Sequence, residues 1–313
     1  MVEYYKTIDG QVTAIPDFAD GCWVNMVRPS SDEIEEIARF ARVEEDFVRA
    51  ALDPEESSRV DTEDDQLLMI IDVPMVERNS GEGGQQLFST LPMGIVVAEN
   101  AVITVCLEDT VILRSIAEGA VKGVHTALRT RFVFQILLRV AGRFLKNLRM
   151  IERDFTKVEK RLYDSLKNEE LIQLLGLSKS LVYFSASLKG NEVTMEKVLR
   201  GRVLKLYEDD RDILEDALIE IRQAIEMAGI YSSILSGTMD AYASVVSNNL
   251  NIIMKVLTVL TIIMTIPNIV FGFYGMNIEG GVIPGDVFWW IPLIISVVAC
   301  AGAWYLLKKR KLY

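Results

Sequence analysis

Histidine is almost missing from this 313-residue chain, which has one, and cysteine is scarce, with three. A single imidazole leaves little material for histidine-based acid–base or nucleophilic relays. No GxSxG, HExxH or GxxxxGK[ST] run is present either, so an enzyme is the weakest functional class. Cys22, Cys106 and Cys300 are scattered singly, without CxxC spacing. The start, MVEYYKTIDG, lacks the basic stretch and apolar run of a signal peptide, so the bulk of the chain is expected in a reducing cytoplasm. Cations are also short: 33 Lys and Arg face 44 Asp and Glu, for a net charge of −11. Residues 251–313 hold five cations against only Glu279 and Asp286, so the balance divides into +3 there and −14 before it. An acidic soluble part repels phosphate backbones, which excludes nucleic acid as a partner.

What the chain does have is concentrated apolarity, visible in a mean hydropathy of +0.24 despite a quarter of charged residues. Residues 256–273 carry no charge, nor do residues 287–307, and each run approaches the roughly 20 residues needed to cross a bilayer core. The connection YGMNIEGGVIPGD lacks Lys and Arg, whereas Lys255 precedes the first run and KKRK follows the second. The positive-inside rule therefore predicts a two-span hairpin with both ends cytoplasmic, and the membrane expected is the plasma (inner) membrane. Trp289, Trp290, Trp304 and Tyr305 lie where interfacial aromatic belts belong.

Within the first span Asn251, Thr258, Thr261, Thr265, Asn268 and Gly272 recur at intervals of seven, three and four. At about 100° per residue they fall within an arc of roughly 100°. Such a face either glues helices together or, repeated in several copies around an axis, lines a pore. The second span has no matching stripe and reads as the outer, lipid-facing helix. Pro267 is expected to bend the first.

The N-terminal part alternates strand-like runs (YYKTI, VTAI, CWVNMV, LLMIIDV, MGIVVAE, AVITVCL) with short helices, among them SSDEIEEIARFA with a Ser30–Glu33 capping box, and EEDFVRAAL. This predicts an α/β sensor-like domain over 1–128, with His125 a surface or packed residue. A helical region follows over 129–250, with a break near Asn168 and a third helix from near Val203. Along that helix Val203, Leu206, Ile213, Ala217, Ile221, Ala224, Ala228, Leu235, Met239, Tyr242 and Val246 mark a packing seam. No proline interrupts it before Pro267, so the stalk and first span are expected to form one helix of about 70 residues, on the order of 100 Å long. So long an amphipathic helix implies partners, most simply copies of itself. Beside the seam run Asp209, Asp212, Asp216 and Glu220. They form either a solvated acidic face or the border of a subunit interface where a divalent cation neutralises carboxylates from two chains.

Tyr274-Gly275-Met276-Asn277, directly after the first span, resembles the YGMN signature of CorA-family magnesium channels, and the long stalk, the hairpin and the basic end agree with it. The resemblance implies an α+β membrane protein. A cytoplasmic α/β funnel precedes a stalk helix continuous with the first transmembrane helix, and a second transmembrane helix ends the chain, over 251–313. The assembly implied is a homopentamer. In the family the tripeptide asparagine, here Asn277, meets the water shell of an arriving Mg²⁺ at the pore mouth, with Gly275 permitting a tight turn. Magnesium dehydrates reluctantly, so recognition through its hydration fits its chemistry. Asn251 falls on the family's pore asparagine, and Met254 and Leu257 on its apolar constriction. Thr265 stands where many relatives carry a pore methionine. Matching from the tripeptide puts the regulatory aspartate at Asp216, with Glu45, Asp46 and Asp53 as candidate partner acids from a neighbouring domain.

The resulting expectation is a Mg²⁺ channel, with Co²⁺ or Ni²⁺ as alternative cargo, closed by internal Mg²⁺. It would be driven by the membrane potential, worth about 4.6 kcal/mol per 100 mV for a divalent ion. A ZntB-like transporter of zinc or other divalents is the alternative, against which Met276 argues, and a non-conducting membrane-anchored sensor is another.

Overall fold

The computed structural model describes residues 1–63, 66–78, 86–164, 168–201, 207–274 and 290–309. The chain divides into two compact units, Met1–Thr238 and Met239–Tyr313.

In the first unit β1 (Val2–Ile8), β2 (Gln11–Ile15), β3 (Cys22–Val27), β4 (Arg59–Glu63), β5 (Gln66–Arg78), β6 (Gln86–Val97) and β7 (Ala101–Cys106) form one sheet in the order β2-β1-β3-β7-β6-β5-β4. All neighbours are antiparallel except β3 and β7. Every strand-like run of the sequence is a strand. The short polar RVDTE of β4 was not legible as one, because its pairing with β5 and not its composition makes it extended.

Side chains on the central strands alternate between two covered faces, as a period of two requires. Cys22, Val24 and Met26 of β3 share a cluster with Ile34 and Ile37 of α1 (Ser31–Ala41) and with Phe47 and Val48 of α2 (Glu45–Ala50). Trp23 turns the other way and meets Phe132 of α4 (Arg129–Asp164) edge to face at 5.4 Å. Its indole N–H donates to the buried Thr104 hydroxyl at 2.9 Å, so the polar end of this ring is satisfied inside the core. Gly94 of β6 is required for the α2 side, since a Cβ there would stand 2.7 Å from the Ala51 Cβ. The capping box of α1 is formed reciprocally: Ser30 Oγ accepts from Glu33 N, and Glu33 Oε2 accepts from Ser30 N.

The helical break falls where the sequence places it, with α4 ending at Asp164 and α5 spanning Asn168–Leu199. The short α3 (Val111–Ala117), which precedes α4, is capped by Thr110. By length and composition α5 could cross a membrane, as could α6 (Glu208–Tyr274) and α7 (Trp290–Lys309). One side of α5 is instead buried in the first unit, through Leu177, Leu181, Phe184, Leu188 and Met195, while Ile172, Leu175, Val182 and Val193 are exposed. Phe184 packs between Phe88 of β6 and Phe144 of α4, with ring centroids 6.1 and 5.1 Å away. Asn191 fastens the same helix by donating from Nδ2 to Asp72 O and accepting from Asp72 N, both at 2.8 Å.

The long helix α6 has 67 residues and continues through Pro267. Of the expected seam, Ala217, Ile221, Ala224, Ala228 and Leu235 are buried, with Leu214 and Leu218 beside them, while Val246 is exposed. Val203 and Leu206 lie outside the described residues.

Candidate functional site

In the second unit the small and polar residues of α6 lie on a face that α7 does not cover. Val259 is 9% exposed, and Ile263, Ile266, Pro267 and Val270 are half-buried on the same side of the helix. The Cys300 thiol of α7 reaches the Ile263 carbonyl at 3.5 Å and marks the direction of the second span. At about 100° per residue this covered face and the stripe of Asn251, Thr258, Thr261, Thr265, Asn268 and Gly272 point roughly 150° apart. All six stripe residues are exposed in the single chain, as are Met254 and Leu257. The residues of α7 withdrawn from solvent are Ile291, Pro292, Ser296, Ala299, Cys300, Ala303 and Leu307, largely small residues that suit helix packing in lipid.

The threonines have a defined polarity. Thr258 Oγ1 donates to Met254 O at 2.7 Å, Thr261 Oγ1 to Leu257 O at 2.8 Å and Thr265 Oγ1 to Thr261 O at 2.7 Å. Each hydroxyl proton is therefore committed to the carbonyl four residues back, and what remains is an oxygen with lone pairs. A row of acceptors can receive hydrogens of water molecules, including those of a hydrated cation. Tyr274 closes the described part of α6. Gly275, Met276 and Asn277 of the tripeptide, and Trp289, lie outside the described residues.

The candidate regulatory acids belong to the first unit. Asp209, Asp212 and Asp216 are exposed along α6. Glu220 is half-buried beside α4, and burial together with the Asp216 charge pushes its carboxyl pKa up, with Arg139 and Arg149 opposing. Asp46 of α2 is exposed in an acidic hollow with Glu35, Glu44 and Glu45, and Asp53 is exposed, accepting from the Glu55 N–H. Among the described residues no three His, Cys, Asp or Glu side chains converge on a point where they could hold an ion. A divalent ion on these oxygen donors would need carboxylates from a second chain or ordered water.

Two features escaped the sequence reading. Asp210, next to Asp209 but on another face of the helix, is buried and paired with Arg131 of α4 at 3.1 Å. Arg139, Arg143 and Lys146 line a cavity with Glu220; their spacing on a helical stretch was the available signal.

The sequence model of the family described as "CorA-like Mg2+ transporter protein" matches residues 18–309. A cobalt/magnesium transport protein CorA of Methanocaldococcus jannaschii is 26% identical over 264 residues, 82% of this chain and 79% of that protein. The complete structure of the CorA magnesium transporter from that organism superposes with a TM-score of 0.84 at 21% identity, over 98% of this chain and 97% of the other. The cytoplasmic domain of ZntB from Vibrio parahaemolyticus gives a TM-score of 0.60 at 14% identity, over 79% and 98%.

Proposed function

The chain belongs to the CorA-like Mg²⁺ transporter family of membrane proteins, and we propose that it is a passive Mg²⁺ channel whose pore is built from copies of α6. The observation that carries this reading is the acceptor-lined face of α6 that α7 leaves uncovered. Were the stripe glue between the two spans of one chain, it would point at α7. Several chains turning this face to a common axis, five by resemblance to the family, give a hydrated cation a path of oxygen acceptors, with Met254 and Leu257 as an apolar constriction at the inner end. Asn277, with Tyr274, Gly275 and Met276, is assigned to the outer mouth as the hydration-shell partner. A divalent ion gains about 4.6 kcal/mol per 100 mV on moving inward, so the membrane potential suffices to drive it.

Closure is assigned to internal Mg²⁺ held by Asp216 of one cytoplasmic domain and an acid of the next, with Asp46 and Asp53 as candidates and Asp209, Asp212 and Glu220 flanking. Hard oxygen donors suit Mg²⁺, and among the described residues one chain alone brings no three of them together. The ion would neutralise carboxylates that otherwise repel across the interface.

The named relative transports cobalt and magnesium, and Mg²⁺ or Co²⁺ are the cargoes proposed here. The fold is shared with a ZntB domain, so backbone likeness does not choose the ion. Flux of Mg²⁺, Co²⁺ and Zn²⁺ into proteoliposomes under an inside-negative potential tests the reading. Mg²⁺ entry is expected; zinc entry without magnesium would transfer the protein to the second class, and no entry would leave a membrane-anchored sensor.

A further inference from the structure

Between α3, α4 and α6 of the first unit lies a cavity of about 510 Å³. Arg139, Arg143 and Lys146 line it from α4. Their spacing of four and three residues sets them along one helix face over roughly 10 Å of axis. Among the described residues Glu220 of α6 is the one carboxylate in the lining, so these side chains give the cleft a surplus of two positive charges. Among the described residues none of the three cations makes a salt bridge, although elsewhere on α4 Arg131 and Lys157 do. Val111 and Ile112 of α3 and Leu138 of α4 make one wall apolar. The floor is open because residue 142 is glycine: a Cβ there would stand 3.3 Å from Glu220 Oε2.

We propose that this cleft binds a nucleoside polyphosphate. Two guanidinium forks and an ammonium group match phosphate oxygens in geometry and charge. Their spread along the helix suits a chain of phosphates better than a single one. Glu220 would repel a bare polyphosphate but can accept from sugar hydroxyls or an exocyclic amine, and the apolar wall offers a surface for the base. The assignment does not rest on the pore, although Glu220 also flanks the acids assigned to internal Mg²⁺, and its test is run without divalent cations so that its failure leaves the transport reading untouched.

The experiment is calorimetric titration of the full-length protein in detergent and chelator with ATP, inorganic triphosphate and inorganic phosphate. Saturable sub-millimolar binding of ATP is expected, weaker binding of triphosphate, and little of phosphate. Arg143→Ala should weaken ATP at least about tenfold, as loss of one charge-assisted hydrogen bond does. Gly142→Leu, which keeps every charge but fills the floor, should do the same. Arg139 and Lys146 are exposed, so Arg139→Ala and Lys146→Ala provide variants that leave the core intact if the Gly142 change impairs folding. Absence of saturable ATP binding by the wild type, affinities unmoved in the variants, or triphosphate binding as tightly as ATP would each overturn the proposal.

Discussion

The Cys300 thiol donates toward the Ile263 carbonyl across 3.5 Å, and this contact lies on the side of the first span that is withdrawn from solvent. With Ile263 toward α7, Thr261 and Thr265, two residues to either side, are rotated about 160° away from that contact. The hydroxyls whose protons are tied to the helix backbone are thereby left for a partner outside the chain.

Cysteines placed at Thr258, Thr261, Thr265 and Asn268, in a background lacking Cys300, should react with small cationic thiol reagents faster than cysteines at Ile262 or Ile269, which are expected to face lipid. Equal labelling rates would return the stripe to a packing role.

Asn277→Ala should abolish Mg²⁺ uptake into proteoliposomes while size-exclusion behaviour stays that of the wild type. On the proposed reading the change removes the amide assigned to the ion's water shell. Full uptake by a correctly assembled variant would end the selectivity role.

Asp216→Asn should raise the internal Mg²⁺ needed for closure and leave recognition of external Mg²⁺ unchanged. A ligand shifts a two-state equilibrium only by its differential affinity, and the variant loses part of it. Closure at the wild-type concentration would leave Asp216 a solvated charge.

Thr104→Val should destabilise the N-terminal unit by about 1–3 kcal/mol. The hydroxyl accepts from Trp23 Nε1 and donates to Asn25 Oδ1 at 3.1 Å, and valine keeps the volume while stranding both buried groups. Tryptophan-detected urea unfolding measures it; an unchanged midpoint would contradict the buried network.

Asp72→Asn should raise the melting temperature at neutral pH. Burial lifts the Asp72 carboxyl above its ordinary value of 3.8, with a Ser187 hydrogen bond only partly opposing. The folded chain therefore holds this proton more tightly than the unfolded one, and stability falls as pH rises through the raised value. Asparagine never ionises, so its advantage should vanish below 3.8. A gain that persists at low pH would assign it to packing instead.

Local signals decided much of this molecule before any contact was known. The Ser30–Glu33 box starts α1, the break before Asn168 separates α4 from α5, and the uncharged run ending at Phe273 extends α6. Each depends on neighbours within a turn or on a period that one segment contains. The stripe from Asn251 to Gly272 was legible for the same reason.

Which surface each segment meets is a non-local matter, and there the sequence was silent. Helix α5 has the apolar content of a membrane span, yet Asn191 and Phe184 have partners on β5 and β6, more than 90 residues away in the chain. Asp210 and Asp212 belong to one acidic run, but only Asp210 finds Arg131 and is buried. Burial and charge pairing depend on what another segment brings to the same place, and composition does not carry that information. The direction of the threonine face had the same status: its period was written in α6, and its vacancy was settled by where Cys300 of α7 came to rest.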